Sequence, residues 1–134
     1  MPLYMCNAKK GLIDQAAKEK IADAITRIHC DVTDAPPDFV HAFFFEDAPH
    51  APLNGSAALL FGSIRAGRTD AQKAQIAAEM KQAIHDHAQI PLDQIATMIR
   101  DVPARWVMEG GDIMPEPGEE AEWLAAHEAK AQAV

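Results

Sequence analysis

Short apolar blocks alternate with long amphipathic stretches along this chain, and the alternation happens twice. Residues 3–8, LYMCNA, are apolar enough for a short strand. A helix is expected over 11–29, with Ile21, Ala24, Ile25 and Ile28 at helical spacing and charges on the other face. DAPP at 34–37 ends that pattern, and the Phe- and Val-rich run DFVHAFFFED at 38–47 reads as a second strand. Turn residues fill 48–55. The plan then recurs. SAALLFGSI at 56–64 reads as a buried strand, and 67–85 as a helix with Ile76, Met80 and Ile84 on one face. Thr69 and Gln72 have the spacing of a capping box. IPLDQIATMIRDVP at 90–103 supplies a turn and a long strand.

Set against each other at a shift of 56, the helical stretches coincide at Gly11/Gly67, Asp14/Asp70, Ala22/Ala78, Ile28/Ile84 and His29/His85. EDAP at 46–49 is echoed by RDVP at 100–103. The shared element order makes an internal duplication the expectation, with halves at 2–55 and 56–111 and a tail at 112–134 within one domain. A β-α-β unit with a long helix wants parallel strands and a right-handed crossover. Two such units give an α/β (α+β) architecture, a four-stranded sheet with both helices on one face. The other face is left bare, and self-association is the expected cover. The tail predicts a loop followed by a helix from about Glu119, with Trp106 and Trp123 packing there or at a subunit contact.

Composition narrows the classes of function. A chain of 134 residues with 49% apolar and 24% charged content can build its own core and has no disordered bias. A formal charge of -8 argues against nucleic acid and anionic membranes as partners. No apolar run approaches the roughly 18 residues of a spanning helix, and the N-terminus lacks the features of a secretory signal, so cytoplasm is the expectation. Cys6 and Cys30 form no framework and read as reduced thiols. The six histidines are scattered without a partner set at ligand spacing, so no metal site is expected.

Four places could carry chemistry. Pro2, if Met1 is removed, becomes a secondary amine at a strand end; an ordinary α-amino group titrates near 7.7–8.0, and its surroundings decide whether it serves as base or acid. Arg65 and Arg68 stand in SIRAGRTD, where a strand turns into a helix. They either hold a carboxylate, helped by the helix N-terminus, or are solvated turn residues paired with an acid such as Asp70. His29 closes the first predicted helix, where a histidine suits the helix dipole without further purpose; the same reading covers His85. Glu109, in WVMEGGD, is a solvated loop carboxylate or one that orients a water or handles a proton.

Taken in order, PLYM, AITRIH, IRAGR, VPARWVMEGG and PEPGEEAEW resemble the tautomerase superfamily, and most nearly its cis-3-chloroacrylic acid dehalogenase group. The resemblance covers nearly the whole chain. It implies a duplicated β-α-β fold assembled as a homotrimer, with pockets near subunit contacts and no cofactor. Pro2 would be the catalytic base or acid and Glu109 the water- or proton-handling carboxylate. His29, Arg65 and Arg68 would bind a small anionic carboxylate substrate. One position departs: where the dehalogenases carry a tyrosine partner for the glutamate, this chain has Met98, which cannot donate a hydrogen bond. Such a loss could lower water activation on the order of 10²–10⁴-fold, unless a donor such as Tyr4 or a neighbouring chain compensates. The resemblance therefore implies a tautomerase of a 2-keto or enol acid. A hydratase or dehalogenase of unsaturated acids and a trimeric binding protein without turnover are the alternatives.

Overall fold

The first strand, β1 (Leu3–Ala8), leads into α1 (Gln15–Thr33), and β2 (His41–Glu46) returns beside it. The computed structural model describes residues 2–132. The second unit repeats the path with β3 (Ala58–Arg65), α2 (Asp70–Ala88) and β4 (Ile95–Val102). β1 pairs in parallel with β2, and β3 with β4, while β1 and β3 meet antiparallel at the centre of a sheet ordered β2-β1-β3-β4. Ile21 and Ile25 of α1 and Ile76, Met80 and Ile84 of α2 pack with Tyr4, Cys6, Leu60, Ile64 and Ile95 of the sheet in one core. This is the expected α+β arrangement, a four-stranded sheet with both long helices on one face.

Boundaries differ from the expectation where local chemistry overrides the apolar pattern. Each helix starts later because a cap fixes it: the Asp14 side chain accepts from the Ala17 amide at 2.8 Å, and Thr69 and Gln72 form the expected capping box. Each also runs on, to Thr33 and Ala88, and stops at a left-handed residue, Asp34 or Gln89. The second strand starts only at His41, since a 3-10 turn over Pro37–Phe39 occupies the first part of the expected run. A short hairpin of β5 (Met108–Glu109) and β6 (Asp112–Ile113), not anticipated as strands, precedes α3 (Glu120–Gln132).

The caps also correct the repeat register. Gly11 and Gly67 are 56 residues apart, but the caps Asp14 and Thr69, and the stops Asp34 and Gln89, are 55 apart. The turn before α2 is therefore one residue shorter, and the helices match one position off the shift suggested by the identities. The counterpart of His29 is buried Ile84; His85 is only partly buried, with Nδ1 2.7 Å from the Ile90 carbonyl. His29 thus fills a core position that the other half fills with isoleucine.

On the sheet face away from the helices, register aligns Phe43, Met5, Phe61 and Met98 in a row across all four strands. Phe43 is 50% and Met98 54% exposed, so the bare apolar face expected from the pattern is present. Among the described residues no helix is long and apolar enough to cross a membrane, and no cluster of side chains could hold a metal ion.

Candidate active site

Where β1 begins, β3 ends and α1 finishes, a cavity of about 270 Å³ opens beneath α3. Four of the five expected residues line it: Pro2, His29, Arg65 and Arg68. Pro2 is buried at the head of β1, and its carbonyl accepts from the His41 amide at 3.0 Å. A proline suits this place, since it has no amide hydrogen to lose from the ladder. Met1, whose removal the expectation requires, lies outside the described residues.

His29 comes from the last part of α1 and is 1% exposed. Its Nδ1 lies 2.7 Å from the Tyr4 hydroxyl, while Nε2 is buried without a hydrogen-bond partner among the described residues. Burial first, then the Arg68 and Arg65 guanidinium groups, pull its pKa down to about 4. The imidazole is therefore neutral near pH 7. The helix-dipole reading of this histidine does not survive its burial at a core position several residues short of the helix end.

Arg65 ends β3, its side chain 9% exposed. One guanidinium nitrogen donates to the Pro115 carbonyl at 2.6 Å and stands 3.7 Å from a Glu120 carboxylate oxygen. Burial, and next Arg68, hold its pKa below the usual arginine value, while Glu120 and Glu116 act the other way. Arg68 has a different state: its Nε is buried and makes no hydrogen bond among the described residues. Neither arginine pairs with Asp70, which is joined to Lys73 instead. The one-residue-shorter turn noted above is the segment that carries Arg68.

The opposite wall is apolar and comes from segments that sequence reasoning did not connect with the site. Phe39, Met114, Trp123 and Leu124 line it. Trp123 donates from Nε1 to the Ile113 carbonyl at 2.7 Å, stacks on His127 at 4.9 Å between centroids, and meets Phe39 edge-on. His127 and Lys130 of α3 both contact Asp112 of β6, tying the tail helix to the hairpin. Gly67 receives the tail loop: a Cβ there would fall 2.5 Å from Pro117, and the φ of +113° favours glycine independently. The acids of PEPGEEAEW, set in the tail of a chain with only two arginines in its strand-to-helix turn, were the available signal for the Arg65–Glu120 contact. Trp106, by contrast, is 74% exposed.

Two expected partners stand apart. Glu109 lies on β5, half-buried, with its carboxylate 3.7 Å from His41 Nε2, and it is not part of the cavity lining. Met98 lies on the open sheet face against Phe61, whereas Tyr4 faces the core and bonds His29. Tyr4 therefore does not stand in for the hydroxyl missing at Met98.

Chemically, the cavity combines a strand-end proline, a neutral imidazole, an arginine already engaged by Pro115 and Glu120, and a second arginine with a donor unused among the described residues. It suits a small molecule with a carboxylate and an adjacent oxygen.

No protein-family model and no curated protein matches the chain. Solved structures do. N1, a member of the cis-3-chloroacrylic acid dehalogenase family, is 27% identical with a TM-score of 0.81, over 98% of this chain and 99% of N1. Native Ps01740 is 31% identical with a TM-score of 0.72, over 80% of this chain and 99% of its own. A wild-type fused 4-OT, solved as an asymmetric trimer, is 25% identical with a TM-score of 0.71, over 83% of this chain and 94% of its own.

Proposed function

Because this chain belongs to the tautomerase superfamily, with a likeness to its cis-3-chloroacrylic acid dehalogenase members, we propose that it is a cofactor-independent tautomerase acting on a small 2-keto or enol carboxylic acid. Pro2, released as a secondary amine, takes a proton from the substrate and returns it to a different atom. The observation that carries the reading is that His29 and Arg68, whose Nε2 and Nε are buried without a hydrogen-bond partner among the described residues, line the same cavity as Pro2. Buried polar groups are ordinarily satisfied, and a pair left open in one cavity is waiting for an acceptor.

The roles divide by state. Arg68 binds the carboxylate as a free donor. His29 donates to the oxygen on which enolate charge develops, a preorganised contact of the kind that stabilises oxyanions. Arg65 keeps its charge beside the site but is already held by Pro115 and Glu120, so it shapes the wall and adds field more than it grips substrate. Pro2 serves as the base in this reading, lining the cavity together with His29 and both arginines. The apolar wall of Phe39, Trp123 and Leu124 faces the substrate's carbon chain.

Glu109 would act in the alternative, a hydratase or dehalogenase of 3-substituted unsaturated acids, in which it activates water. The methionine at position 98, which cannot donate a hydrogen bond, weighs against that reading. We also read the two β-α-β units as a duplication within one domain, and the row Phe43, Met5, Phe61 and Met98 as the contact surface of a homotrimer, the assembly of the fused 4-OT neighbour.

Parallel assays decide between the activities. The protein should ketonise 2-hydroxymuconate-like enols well above the solution rate and turn over 3-haloacrylates slowly or not at all. Turnover of haloacrylates alone would replace the tautomerase reading with the alternative.

A further inference from the structure

Tyr4 is the one tyrosine in the chain. It stands on the helix-facing side of β1, fully buried, with its hydroxyl 2.7 Å from His29 Nδ1 and its ring edge-on to the imidazole. The neighbouring strand makes room for it. Tyr4 is in register with Gly62 of β3, and a Cβ at that position would come within 2.7 Å of the tyrosine ring. Glycine ordinarily weakens a strand interior, so its presence under this ring marks a required close approach.

We propose that Tyr4 is a positioning residue that fixes His29 as the neutral Nε2–H tautomer, presenting the cavity with an uncharged hydrogen-bond donor. Two arrangements fit the 2.7 Å contact. In the first, the phenol O–H donates to Nδ1 and the imidazole proton sits on Nε2. In the second, Nδ1–H donates to the phenol oxygen, which strands the phenol hydrogen in a side chain with no solvent exposure. It also leaves a bare Nε2 lone pair on a residue that lines, with two arginines, a cavity suited to an anion. A buried hydrogen without an acceptor is costly, and a lone pair repels an anionic ligand. The first arrangement pairs the phenol hydrogen inside the protein and leaves Nε2–H alone for the ligand.

Burial raises the phenol pKa well above its usual value and lowers that of the imidazole, so both partners stay neutral. The hydroxyl therefore acts through His29 and never touches substrate. The identity of the acceptor rests on the tautomerase reading; the placement of the imidazole proton does not.

Long-range proton–nitrogen correlation spectra of the ¹⁵N-labelled full chain near neutral pH report the tautomer directly. The wild type should show His29 protonated at Nε2, with Nδ1 an acceptor, and Tyr4→Phe should lose that pattern. On an enol substrate, Tyr4→Phe should lower kcat about 10–100-fold, as removal of an outer hydrogen-bond partner does at other imidazole sites, with a smaller change in KM. A wild-type His29 protonated at Nδ1 overturns the proposal without any variant having to fold, and so does an unchanged His29 spectrum in Tyr4→Phe. Expected spectra with no enol turnover in the wild type would support the proton's placement and overturn the tautomerase reading.

Discussion

Pro2→Ala should lower kcat for enol ketonisation by about 10²–10⁴-fold, the range that a positioned acid or base contributes. The far-ultraviolet circular dichroism and melting temperature should hardly change. Pro2 donates no hydrogen bond, and the bond its residue does make, from the His41 amide to its carbonyl, uses an atom that alanine also has. What changes is the base. A secondary amine in a rigid ring, buried at the strand head, becomes a primary amine free to rotate. The same logic separates two forms of the wild-type protein. A chain that keeps Met1 has an amide at position 2, without a basic nitrogen, and should be inert whatever the state of His29 and Arg68. Stopped assays on fractions separated by mass check both expectations; a fully active Pro2→Ala variant would remove Pro2 from the chemistry.

The second large effect sets the two arginines apart. Arg68→Ala should reduce kcat/KM by about 10²–10³-fold, in line with the roughly 2–5 kcal/mol lost when one partner of a buried charge pair is removed. It should leave the melting temperature nearly unchanged, because Arg68 Nε makes no hydrogen bond among the described residues. Arg65→Ala should do the reverse in proportion. It strips the Pro115 carbonyl of its donor and Glu120 of its cation at a buried position, which costs roughly 1–3 kcal/mol of stability for the unsatisfied group. It should weaken substrate binding chiefly through a loosened α3 and a reduced positive field. Kinetics and thermal melts on both variants decide this. If Arg65→Ala proved thermally neutral and catalytically silent while Arg68→Ala melted early, the assigned roles would be exchanged.

The sequence carried the sheet and the long helices well because their apolar periods are clean: Ile21 and Ile25, or Ile76, Met80 and Ile84, mark one face without ambiguity. It carried the cavity residues through their order along the chain rather than through any one motif. The misreadings have two physical origins, short-range geometry and contacts between distant parts of the chain. The turn before α2 is one residue shorter than the one before α1, so the identity His29/His85 pointed to the wrong counterpart, and the burial of His29 went unread. The β5–β6 hairpin is too short to show a period of two. Contacts made by the tail, such as Glu120 on Arg65 and Trp123 against Phe39, join residues far apart in the chain and leave no local signature. Tyr4 was visible as a hydroxyl, but its partner could be found only from the sheet face it occupies and from the space left by Gly62.

The most direct measurement is the intact mass of the purified protein before and after exposure to a 3-halopropiolate, an acid that traps amines. The expected result is a chain lacking Met1 that gains a single adduct mapped to Pro2, with labelling slowed in Arg68→Ala because the acid no longer docks. A chain that lacks Met1 and gains no adduct at Pro2 would contradict the claim that a reactive amine stands in an acid-binding cavity.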